Sequence, residues 1–149
     1  VPDPLDEHPE DIRVPRHPAD HDFAGICPFH GDCLEGLACG PANVARWGMP
    51  LSSLEEDHPG KAIAAWYLGH AVVTFQAVMQ PARIVLGGGV MGAAGLLDMV
   101  RREAAELGSG YFAGNAEEIV VAPGLGDRSG LMGALAIAIR AGCAISDPP

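Results

Sequence analysis

From Leu34 onward the chain alternates between apolar stretches of helical length and short β-type runs, with glycine or proline between them. Residues 34–47 read as a helix that Gly40-Pro41 kinks or restarts, since proline lacks an amide hydrogen and its ring clashes with the preceding turn. Gly48, Pro50 and Ser52-Ser53 break the pattern again. A longer helix is predicted from about Gly60 to Met79, with Ile63, Trp66, Tyr67, Val73 and Phe75 among its buried positions and Pro81 beyond its end. Residues 83–86 form a β-type run that stops at Gly87-Gly88-Gly89, and a helix carrying Leu96, Leu97, Met99 and Val100 follows. The order then recurs as a strand over 118–122, a turn over 123–126 and a helix over 127–140, with Asp127 or Ser129 near its start as cap. Strands alternating with helices imply right-handed crossovers and parallel strands covered by helices, which is an α/β fold.

The first 23 residues lack this order. They hold five prolines and three histidines with no sustained period, so residues 1–23 read as an irregular arm and 24–149 as the folded lobe. Ile12 and Val14 around Arg13 are enough for a brief strand or an extended edge segment. At 149 residues the chain is long enough to bury roughly 68–70% of its surface in one domain. Its 48% apolar and 19% charged content excludes intrinsic disorder. A formal net charge of -10 disfavours nucleic acid and anionic membranes, both of which are gripped by clustered Lys and Arg. No run of about 20 uninterrupted apolar residues and no basic-then-apolar leader is present, so the expected location is cytoplasmic, and the four cysteines read as thiols or metal ligands.

The sharpest chemical feature is Cys27-Pro28-Phe29-His30-Gly31-Asp32-Cys33. Two thiols and an imidazole within seven residues match the sulfur and nitrogen donors that zinc takes in a tetrahedron. A Cys27–Cys33 disulfide is the competing reading. Three ligands leave one corner for water or for a fourth side chain, and His21, His17, Asp11 and His8 are the upstream candidates. Cys39 and Cys143 read as small buried hydrophobes. Glu35, at the entry of the next helix, either accepts hydrogen bonds from sugar hydroxyls or simply complements the helix dipole. Residues 86–92, Leu-Gly-Gly-Gly-Val-Met-Gly, contain a G-x-G-x-x-G spacing between strand and helix, where backbone amides approach phosphates. A dinucleotide fold needs an acidic residue at the end of the next strand, and Ala122-Pro123 stands there instead; a P-loop needs Lys-Ser or Lys-Thr, also missing. A nicotinamide oxidoreductase is thereby disfavoured. The glycines alone fit either a nucleotide-adjacent turn or close helix-on-strand packing.

Taken together these segments resemble the ROK kinases and repressors, and within them the bacterial fructokinase branch. Residues 27–42 are similar to that branch's zinc and sugar signature, 83–91 to its adenosine-side glycine motif, and 123–134 to its closing helix motif, in the same order from about Ile12 to Ala141. The resemblance implies the carboxy-terminal lobe of an actin-like, ribonuclease H-like fold and ATP-dependent phosphorylation of a hexose, fructose above all, with magnesium, in a homodimer. It implies Cys27, His30 and Cys33 as zinc ligands, Glu35 as a sugar contact, and Gly87, Gly88 and Gly89 near the nucleotide. Where the family carries Glu-x-Gly-His, this sequence has Glu10-Asp11, which puts Asp11 in the place of a zinc-binding His and displaces the sugar-contacting Glu10. The family's Asp-x-Gly-Gly-Thr phosphate loop and catalytic Asp belong to the amino-terminal lobe and have no counterpart in these 149 residues. The expectation is a kinase module inactive alone, and the alternative is a zinc-stabilised non-catalytic fragment or interaction module.

Overall fold

The computed structural model describes residues 12–111 and 114–145, with backbone alone at 127 and 143–145. Glu10, Asp11 and His8 therefore lie outside the described residues. Residues 12–26 run without a regular element, and the expected strand around Ile12 and Val14 is an irregular segment that buries Val14. Among the described residues six α-helices follow: α1 (Leu34–Ala38), α2 (Gly40–Trp47), α3 (Pro59–Met79), α4 (Leu96–Gly108), α5 (Ala116–Ile119) and α6 (Ser129–Ile145). The strands β1 (Ile84–Val85) and β2 (Val120–Val121) pair in parallel, with Ile84 opposite Val120.

Local chemistry explains most boundaries. Pro41, in the first turn of α2, costs no hydrogen bond there, and the Cys39 sulfur accepts from Ala42 N, so the chain restarts after α1 instead of kinking. Pro59 opens α3 in the same way, and Gln80 ends it in a left-handed conformation just before Pro81. The strand expected over 118–122 is shorter. Asn115 caps the Glu117 amide and two acidic residues complement the helix start, so Glu118 and Ile119 belong to α5 and only Val120 and Val121 pair with β1. At α6 the Ser129 hydroxyl donates to the Gly126 carbonyl, tying the helix to the turn before it.

Helix α3 divides the core. One side meets Leu51, Leu96, Val100, Ala104 and Val120, and the other meets Val14, Leu34, Leu37 and Ala38. Ile63 and Tyr67 are buried as read from the sequence, whereas Trp66, Val73 and Phe75 are only half-buried. By length and composition α3 could cross a membrane, yet its packing against α4 and α1 makes it the central helix of this fold. Helix α6 is the opposite case. Its Leu131, Ile137 and Ile139 remain exposed, and its main packing is with the turn at its own start.

This contrast is measurable. Leu96→Ala, at a fully buried position, is expected to cost about 2–5 kcal/mol in denaturant unfolding, while Leu135→Ala on exposed α6 stays within about 0.5 kcal/mol.

Candidate functional site

Two chemical features emerge, a Cys/His loop and a glycine cleft. In the loop, Cys27 and Gly31 exchange backbone hydrogen bonds of 3.1 and 2.9 Å, which closes a tight antiparallel turn. Gly31 has φ +66, and a Cβ at Gly36 would lie 1.9 Å from the Gly31 carbonyl oxygen, so the start of α1 presses directly on the turn. Larger side chains there would open it. The donor atoms of Cys27, His30 and Cys33 consequently all lie within 4.8 Å of one another, and the Cys27 sulfur is 3.8 Å from His30 Nδ1. A tetrahedron with metal–sulfur bonds of about 2.3 Å separates its sulfurs by roughly 3.8 Å, so the donor set fits a metal ion with little adjustment. Cys27 and Cys33 are not joined in a disulfide, against the competing reading.

The two thiols differ. The His30 backbone amide, pointing at the Cys27 sulfur, holds that thiol below the ordinary range against an opposing effect of desolvation. Burial pushes Cys33 up. Cys39 is also raised, first by burial and further by the charge of Glu35. It is half-buried and caps α2, more than the inert hydrophobe expected. Glu35 sits half-buried in the first turn of α1, two residues past Cys33. Leu34 N donates to the Ile12 carbonyl at 2.9 Å, which brings the start of the described arm beside the Cys33 end of the loop. His17 and His21 are not drawn into the donor group. The His17 ring accepts from Ala19 N and stacks edge-on against Trp66.

Behind the loop lies a network that sequence reasoning missed. Arg46 and Asp20 form an ion pair at 2.9 Å with side chains only 5% and 4% exposed. The Arg46 Nε–H lies off the line to the carboxylate, so this contact is chiefly electrostatic. The guanidinium also donates to the Leu37 carbonyl at 2.9 Å and lies 4.1 Å above the Phe23 ring. Tyr67 donates to the other Asp20 oxygen at 2.7 Å. Burial pulls the Arg46 pKa down, with Asp20 opposing, and burial followed by the Asp20 hydrogen bond raises Tyr67 to about 12. The sequence marks Tyr67 only as a buried helix position, and nothing in it singles out Asp20 or Arg46.

The glycine motif lies elsewhere. Leu86 N continues the parallel ladder to the Val121 carbonyl at 2.9 Å, after which Gly87 and Gly88 turn the chain. A Cβ at Gly87 would meet Pro123 Cγ at 2.8 Å, and Gly88 has φ +87. A cleft of about 500 Å³ opens there, lined by Gly87, Gly88 and Gly89 on one side and by Pro123, Gly126, Ser129 and Gly130 on the other. The two motif regions 83–91 and 123–134 thus meet in one place, and no residue of the Cys/His loop lines it.

Residues 12–141 match the ROK family. The chain belongs to the ROK family. It is 52% identical over 129 residues to a fructokinase of Zymomonas mobilis, an alignment that covers 85% of this chain and 43% of that protein. It is 33% identical over 141 residues to a putative fructokinase of Bacillus subtilis, covering 90% and 47%. With a fructokinase of Streptococcus mutans the figures are 35% over 133 residues, 88% and 43%. This ROK chain therefore spans less than half the length of the curated relatives it matches.

The shifted Tyr67 gives a pH prediction. Its folded pKa of about 12 exceeds the ordinary tyrosine value near 10, so the unfolded chain ionises first and stability falls as pH rises from about 10 to about 12. Below pH 10 the hydroxyl is neutral in both states and contributes no slope. Tyr67→Phe is expected to flatten that alkaline limb in urea melts taken across the range.

Proposed function

We propose that this chain supplies the metal-bearing and nucleotide-side part of an ATP-dependent fructokinase, which transfers the γ-phosphoryl group of ATP to a hydroxyl of fructose. The observation that carries the reading is the meeting of two separate glycine-rich turns, at 87–89 and 123–130, in one cleft of a ROK family chain. The relatives' names support it. Backbone amides freed by Gly87, Gly88 and Gly89 approach the nucleotide where any Cβ would intrude, and the start of α6 closes the other wall.

Zinc fits the loop. Cys27 and Cys33 would supply thiolates and His30 a ring nitrogen, with Asp11 as fourth ligand, and the Leu34–Ile12 hydrogen bond supports that last assignment. The role is structural: the ion stiffens the turn and thereby fixes the start of α1. Glu35, in that first turn, would accept hydrogen bonds from sugar hydroxyls, with Glu10 as a second acceptor. The enzyme is read as homodimeric, as the resemblance implies, and as cytoplasmic, the compartment that supplies its ATP.

No catalytic base is assigned in this chain. Charge on the transferring phosphoryl group is neutralised by magnesium and by donors from both sides of a kinase cleft, so one side alone gives little rate enhancement. The exposed apolar surface of α6 supports the need for a second side, because a helix apolar on all faces is stable in water when covered.

A coupled assay with ATP, magnesium and fructose tests the proposal. The chain alone is expected to give no turnover, and the chain co-purified with the amino-terminal half of a related fructokinase is expected to phosphorylate fructose. A stable complex of the two that phosphorylates no hexose would overturn the kinase reading and leave a non-catalytic module.

A further inference from the structure

The segment carrying the three donor residues is a long excursion with a narrow neck. It leaves the arm near Phe23, enters α1 at Leu34 and ends near Leu37, and the Ile26 amide bonds the Gly36 carbonyl at 3.0 Å across it. One side chain reaches both ends. Arg46, from α2, stacks its guanidinium over the Phe23 ring at 4.1 Å and donates to the Leu37 carbonyl at 2.9 Å. Phe23 lies four residues before Cys27, and Leu37 lies four residues after Cys33. The same guanidinium pairs with Asp20 at 2.9 Å, and Tyr67 on α3 fixes the second oxygen of that carboxylate at 2.7 Å. Arg16 adds donors to the Asp20 and Phe23 carbonyls, locking the approach to the neck.

We propose that Arg46, held by Asp20 and Tyr67, is a positioning residue that clamps the neck of the Cys27–His30–Cys33 loop and so presets the separation of its donor atoms. The naming of a metal at the loop rests on the zinc reading above; the clamp itself does not. Arginine suits the task because its planar fork offers several donors in fixed directions while its face stacks on an aromatic ring. Lysine offers a single point charge and cannot serve Phe23, Leu37 and Asp20 together. Burial sharpens the effect: with both charged groups almost out of water, neither finds solvent as an alternative partner, so the arrangement has one geometry. Residues that orient metal ligands without touching the ion commonly change metal affinity by about 10–100-fold when replaced.

The test uses cobalt(II) as a spectroscopic probe and amide hydrogen exchange as a metal-free readout. Wild type, Arg46→Met, Arg46→Lys and Tyr67→Phe are compared. Arg46→Met is expected to weaken cobalt binding at least about tenfold by chelator competition and to broaden the visible absorption of tetrahedral cobalt. Tyr67→Phe, which removes one hydroxyl and preserves the helix, is expected to show a smaller loss in the same direction, and Arg46→Lys to recover little. Without metal, exchange at the Cys27 and Gly31 amides should accelerate in Arg46→Met relative to the core amide of Val100. A purely structural role would lower the melting temperature while leaving the cobalt affinity of the folded protein and the Cys27 to Val100 exchange ratio unchanged, and that result overturns the clamp. A wild-type chain that binds no cobalt overturns the metal reading instead, and the exchange ratio then decides the clamp alone.

Discussion

A guanidinium and a carboxylate removed from water have to face each other and their remaining partners, because nothing else in the interior compensates their charge. In this chain that constraint falls on Arg46 and Asp20, and the arm, α1, α2 and α3 are arranged around it. Isolated buried pairs of this kind add little net stability over apolar replacements, yet losing one partner typically costs about 3–5 kcal/mol. Its contribution is therefore to geometry. The irregular arm has few apolar residues with which to choose a docking site, and the buried carboxylate of Asp20 gives it one.

The consequences run outward to the two chemical features. On one side the fixed arm and α1 pinch the Cys/His segment into a turn so tight that Gly36 has no room for a side chain, and the three donors converge as a result. On the other, α3 supports α4 and the short parallel ladder, which delivers residues 86–92 and 122–130 to a common cleft. Backbone supplies the cleft and side chains supply the loop. That division suits the kinase lobe proposed above, in which amides would meet phosphate and carboxylates the sugar.

Much of this was legible from residue order. Helix α3 followed from a long apolar stretch between Pro59 and Pro81, and the α1/α2 break followed from Gly40-Pro41. The donor loop was visible because its three residues are close in sequence, so local spacing already constrains their separation. Elements set by tertiary context were harder to see. Glu118 and Ile119 have strand-compatible neighbours, but the Asn115 cap turns them into a helix. Asp20 is one acid among several in an acidic, proline-rich arm, and Arg46 stands in the last turn of α2; their burial arises from partners 26 and 47 residues distant, which no local pattern encodes.

Zinc at the loop is the claim on which the reading of α1 and Glu35 depends. X-ray absorption at the zinc edge of the purified chain addresses it directly, since the first shell reports both ligand type and distance. The account predicts stoichiometric zinc with two sulfur neighbours at about 2.3 Å and two nitrogen or oxygen neighbours at about 2.0–2.2 Å. A chain purified in zinc-containing medium that carries no metal, or one whose zinc has an oxygen-only shell, would contradict it.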